Sequence, residues 1–131
     1  MAPNVQIGLS LQGGESLGGL LRFDPGGVIA TQVQMAPAER VRARTVWLRL
    51  GWHTEGRATR DSFVAAQAAI HQGALDPATP INVRADLPVP PQPWSYAGQL
   101  INIVWEVEVV VDIPLSGDLV HRQPIIVAPR R

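Results

Sequence analysis

The chain has 131 residues, 46% of them hydrophobic, which is enough for one packed core and too apolar for a disordered tail. Its 11 basic and 11 acidic residues cancel, so no net field draws it to nucleic acid or to an anionic membrane. Cysteine is absent, which excludes disulfides, thiolate metal sites and cysteine nucleophiles and suits a reducing, cytoplasmic setting.

Met1 to Ser10 lacks the basic-then-apolar pattern of a secretory leader. Instead Val5, Ile7, Leu9 and Leu11 alternate with Asn4, Gln6, Gly8 and Ser10, the period at which side chains share one face of a strand. Gly13 to Gly19 invites a phosphate-loop reading. It lacks the lysine and the following helix that such a loop needs, so it reads as a flexible loop and a contact element at most. Asp24-Pro25-Gly26-Gly27 marks a turn, after which Ile29, Thr31, Val33 and Met35 alternate with Ala30, Gln32 and Gln34.

Every lysine-or-arginine position is arginine, and Arg40, Arg42 and Arg44 form the basic cluster, with Arg49 further on. Residues two apart share a strand face, so these three can make an arginine row; a solvated strand start is the plainer account. Val46, Leu48, Leu50 and Trp52 then oppose Thr45, Trp47, Arg49 and His53. The alanine-rich segment Ser62 to Gln72 suits either a short helix capped by Asp61 or Ser62 or a strand, and its β surroundings favour the strand.

Asp76-Pro77 is a turn, and Ile81, Val83, Ala85 and Leu87 form another alternating run. Pro88, Pro90, Pro91 and Pro93 cannot sit in a central strand and make an extended crossover. The plainest strand follows: Ile101, Ile103, Trp105, Val107, Val109, Val111 and Ile113 face one way, and Asn102, Glu106, Glu108 and Asp112 face the other. Its three carboxylates also interrupt the most hydrophobic stretch of the chain, which falls short of the roughly 20 apolar residues a spanning helix needs, so no membrane insertion is expected. Ser116-Gly117-Asp118 turns the chain into a last strand over Leu119 to Ala128, and Pro129 to Arg131 is a short tail. Short strands punctuated by glycine and proline, without a long helix, predict an all-β, immunoglobulin-like two-sheet antiparallel sandwich, one domain over residues 1–131.

Four stretches in this order resemble the arrestin-like family, which takes in the arrestins, retromer subunits and sporulation-control proteins of the Spo0M type. They are Phe23 to Ile29 with Thr31 and Val33, Val41 to Leu50, the crossover Ala85 to Gly98 with its Leu-Pro and Ser-aromatic-x-Gly elements, and Ile103 to Val111 followed by Asp118 and Pro124 to Val127. The resemblance spans about Gln6 to Ala128 and implies a single-domain, non-enzymatic module that binds or scaffolds proteins, with the partner undefined. Most members join two such sandwiches; this length holds one, and a dimer through an edge strand would supply the second. The paired lysines with which vertebrate arrestins sense phosphate have no counterpart in a chain without lysine, so phosphoreceptor recognition is not carried over.

No residue set points to catalysis, a cofactor or a metal. His53, His71 and His121 lie far apart on different elements, and no serine sits in a strand-turn-helix elbow. Glu106 and Glu108, two apart on one strand face, are expected to pair with Arg44 or Arg49 rather than to act as a glycosidase dyad. Trp52 and Trp105 belong to apolar faces and are expected in the core. Trp47 falls on the polar face of its strand, and Trp94 and Tyr96 lie in the proline-rich crossover. Exposed aromatics are common binding anchors, whereas a loop over Trp47, or Trp94 plugging the sandwich end, would make them structural. Trp47, Trp94, Tyr96, Arg44 and Arg49 are therefore the candidate partner-binding residues. The same aromatics would serve as stacking platforms in a carbohydrate- or small-ligand-binding sandwich.

Overall fold

The computed structural model describes residues 4–56, 60–98 and 100–130. Among them are ten strands: β1 (Val5–Gln12), β2 (Glu15–Leu17), β3 (Leu20–Phe23), β4 (Val28–Pro37), β5 (Thr45–Gly56), β6 (Ser62–Gln72), β7 (Ile81–Pro88), β8 (Tyr96–Ala97), β9 (Ile101–Asp112) and β10 (Leu119–Val127). No helix long and apolar enough to cross a membrane occurs among the described residues. The ambiguous segment Ser62 to Gln72 is a strand, as its surroundings favoured.

The strands form two sheets. A three-stranded sheet runs β1-β4-β7, and a seven-stranded sheet runs β2-β3-β10-β9-β5-β6, with β8 paired to β9. Pairing is antiparallel except where β10 meets β3, with Val127 beside Phe23. The period-two pattern decides which side of each strand is buried. From β9 the row Trp105, Val107, Val109 and Val111 is fully buried, and β5 sets Val46, Leu48 and Leu50 beside it through a register that never slips. From the facing sheet Ile29, Val33 and Met35 of β4 and Leu87 of β7 complete the core. The one polar side chain in the β4 inner row, Thr31, is accommodated because its hydroxyl donates to the Ala85 carbonyl of β7.

Two sequence expectations are corrected. Glu15 to Phe23 is a hairpin, so Gly13 to Gly19 is not a free loop. Leu17 pairs with Leu20, leaving Gly18 and Gly19 as a two-residue turn with φ of 58° and 87°. Positive φ at both turn residues matches the right-handed twist of the flanking strands and strongly favours a glycine pair. Trp52 is only half-buried: it stands on the inner side, opposite Trp105, but at the open end of the sandwich, where it stacks on Phe63 with ring centroids 4.3 Å apart.

Trp105 is the largest fully buried side chain, and its indole N–H donates to the Pro93 carbonyl at 3.1 Å, tying the crossover to the spine. Trp105→Ala is expected to cost about 3–5 kcal/mol of unfolding free energy. Leu115→Ala, at a fully exposed position, should stay within about 0.5 kcal/mol of wild type. Urea denaturation followed by fluorescence or circular dichroism reads both.

Candidate functional site

The proline-rich crossover is pinned at several points. The Val89 N–H donates to the Gly27 carbonyl, and Gly26 reaches Pro90, so the early turn holds the loop's start. Ser95 closes its end: its N–H donates to the Val127 carbonyl at 2.7 Å, and its Oγ accepts from the Val127 N–H at 2.9 Å. Between these anchors the Trp94 indole N–H donates to the Pro91 carbonyl, which satisfies the polar end of the ring within its own loop. Trp94 and Tyr96 are left 49% and 54% exposed.

A hollow of about 480 Å³ is lined by Gln92, Pro93, Trp94, Tyr96, Ile101 and Ile103, and its wall is almost wholly apolar. A second, of about 390 Å³, opens on the other flank of Tyr96 and Ile103, with Leu20, Val104 and Ile125 in its wall. Ile101 and Ile103 share the parity of the buried Trp105, yet Ile101 is exposed. The core-facing side of β9 thus runs out past its cover, and the crossover's aromatics border that uncovered end.

The other sequence candidates lie elsewhere. Trp47 and Arg49 occupy the outer side of β5, where the Arg49 guanidinium sits 5.7 Å from the Trp47 ring centroid and its Nε donates to Gln67. Trp47 is half-buried. Arg44, exposed, stands 3.7 Å from the half-buried Asp112. Trp94 and Tyr96 therefore make one surface, Trp47 and Arg49 belong to another, and Arg44 stands apart beside Asp112.

Glu106 and Glu108 pair neither with Arg44 nor with Arg49, which corrects the expectation. Arg122 of β10, directly across from Glu108, reaches Glu108 at 3.0 Å and Glu106 at 3.9 Å. Arg49 is also across from Glu108, on the other side, but is drawn away by Gln67 and Trp47. His53 completes this cluster. It is 5% exposed, with Nε2 at 2.7 Å from Glu55 and Nδ1 at 3.4 Å from Glu106 without a hydrogen bond. Sequence parity placed His53 on the outer face and could not foresee its burial, which comes from neighbours on other strands around a recess of about 140 Å³. Among the described residues no three His, Cys, Asp or Glu side chains are placed so as to hold a metal ion together.

Arg22, passed over in the sequence, is a second ionic node. Its nearly buried guanidinium donates to Asp24 at 2.7 Å and to the Ala128 carbonyl at 2.6 Å, and lies 3.4 Å from Glu15. It thereby ties the β2–β3 hairpin, the early turn and the end of β10 together. The hydrogen bond from Arg22, helped by its charge, holds the Asp24 carboxyl below the ordinary carboxylate value, and the same bond holds Arg22 above its own.

Two facing, mostly antiparallel layers, a Pro-rich crossover pinned across the sandwich end and an early Pro-Gly turn give this chain a β-sandwich of arrestin-like fold. A solved structure bears this out. The crystal structure of Spo0M, a sporulation control protein from Bacillus subtilis, matches with a TM-score of 0.71 over 99% of this chain and 51% of that one. The two are 13% identical, so the likeness is one of fold, and this chain spans about half the length of that protein. No protein-family model and no curated protein sequence matches the chain.

Because the folded pKa of Asp24 lies below its unfolded value of 3.8, its contribution is complete above that value and is lost as pH falls through the lower folded one. Asp24→Asn is therefore expected to be less stable than wild type near neutrality, with the gap closing in strong acid. Denaturant midpoints measured across the acid range check this.

Proposed function

We propose that this domain is a non-catalytic binding module whose docking site is the hollow at Trp94 and Tyr96, and that it receives a large apolar side chain from a partner protein. The observation that carries this reading is a pair of half-exposed aromatic rings on a pinned loop, bordering an almost wholly apolar hollow. Rings held in advance lose little freedom on binding, and aromatic anchors in desolvated pockets dominate interface energies. A scaffold role fits a rigid sandwich that presents one such loop, and a cysteine-free chain is in keeping with a reducing, cytoplasmic location.

The carbohydrate reading uses the same rings but needs polar groups beside them to bind hydroxyls. Apart from the phenol of Tyr96 itself, the polar side chains around this hollow are Gln92 and Ser95, and the Ser95 hydroxyl is already engaged by Val127. That favours a protein ligand.

Selection of a random peptide library on the immobilised domain tests the proposal. Peptides sharing a large apolar residue are expected, with Trp94→Ala and Tyr96→Ala each weakening them about tenfold or more. Trp47→Ala, on the other surface, should leave them unchanged. Peptides that bind the Trp94→Ala/Tyr96→Ala double variant as tightly as wild type would overturn the assignment. So would a glycan array giving ligands that depend on Trp94 while the library yields none.

A further inference from the structure

Among the described residues five strands are paired on one side only, β1, β2, β6, β7 and the two-residue β8, and all of these edges but that of β1 are blunted. β7 carries Arg84 and Asp86 and ends in Pro88. β6 is broken by two bulges: register shifts between Val46 and Trp47 and between Leu50 and Gly51 leave Ile70 and Ala65 without Cα partners on β5. β2 is three residues long. Charge, proline, bulges and shortness are the devices by which sheets avoid adding a further strand. β1 has none of them. Its eight residues pair with β4 without a slip, and neither β1 nor β4 contains a charged residue.

Two further observations mark this edge. The inner row Val5, Ile7, Leu9 and Leu11 packs on the core but is only half-buried. Gly8 lies in mid-strand, where glycine weakens a strand, and nothing in the chain calls for it: an added Cβ would meet Gln34 no closer than 3.8 Å. Its φ is not positive either. Gly8 leaves the outer face at the middle of this edge free of any side chain.

We propose that β1 is the edge through which two copies of this chain join, antiparallel, about a two-fold axis at Gly8. A two-fold axis perpendicular to the sheet keeps both apolar faces on the same side, so odd positions must meet odd positions. With Gly8 beside Gly8 of the partner subunit, Ile7 meets Leu9 of the partner subunit and Val5 meets Leu11 of the partner subunit. On the outer face Gln6 meets Ser10 of the partner subunit. The strand is its own complement: apolar against apolar inside, neutral polar against neutral polar outside, with no charge to repel itself or to select a charged stranger. The union makes the two three-stranded sheets one continuous sheet and covers the half-buried inner row.

The test uses the outer face, where Gln6 and Ser10 are exposed and tolerant of change. In the proposed register positions 6 and 10 of opposite copies face each other twice per dimer. Gln6→Lys/Ser10→Lys sets like charges together, and Gln6→Lys/Ser10→Glu sets opposite ones together. Sedimentation velocity over micromolar concentrations is expected to give a dimer for wild type and for the lysine–glutamate variant. The two double variants should differ about tenfold or more in dimer dissociation constant. Thermal unfolding of each establishes that it is folded. A wild-type chain that keeps the monomer mass at every soluble concentration overturns the proposal, as do two double variants that associate equally.

Discussion

Burial of the inner row of β9 is the constraint on which the rest of the sandwich depends. Trp105, Val107, Val109 and Val111 are sealed between the sheets, and β9 is the strand to which β5, β8 and β10 are all hydrogen-bonded. The β9 row therefore fixes, through an unbroken register, which side of β5 turns inward, and it draws β10 and the crossover in after it. The polar accommodations are local responses to this burial. Thr31 is satisfied by Ala85, the Trp105 indole by Pro93, and Ser95 bonds Val127 twice.

The same strand generates the candidate site. β5 and β9 each run for 12 residues, whereas the strands of the facing sheet run for 8 to 10. The long strands outreach the cover, and the apolar parity that buries Trp105 leaves Ile101 and Ile103 at an open end. Trp94 and Tyr96 are carried there by a crossover whose prolines keep it extended and whose ends are tied to Gly27 and Val127. Site and core are thus one continuous apolar surface, covered in one part and open in the other.

Charges are organised differently on the two sheets. The outer side of the seven-stranded sheet carries a network of Arg122, Glu106, Glu108, His53 and Glu55, and a second node gathers Arg22, Asp24 and Glu15. β1 and β4 of the other sheet bear no charge. Ionic groups in the first case tie together strands that are distant in sequence. Their absence in the second leaves the β1 edge defined by backbone groups and neutral side chains alone.

Much of this was legible in the amino-acid order. Strands β1, β4, β5, β7, β9 and β10, the turn at Asp24 to Gly27, the crossover over Pro88 to Pro93 and the inward row of β9 follow from alternation and from what proline and glycine permit, which are properties of neighbouring residues. The Gly18-Gly19 hairpin carried a local signal too, obscured because its strands are only three and four residues long. Tertiary structure alone decided the rest. That Arg122 rather than Arg49 takes Glu108, that His53 is buried on an outer face, and that Trp94 and Tyr96 share a hollow with Ile101 depend on which strands became neighbours and in what register. Parity assigns a side chain to a face of its own strand; what covers that face comes from residues far away along the chain, and no local pattern encodes it.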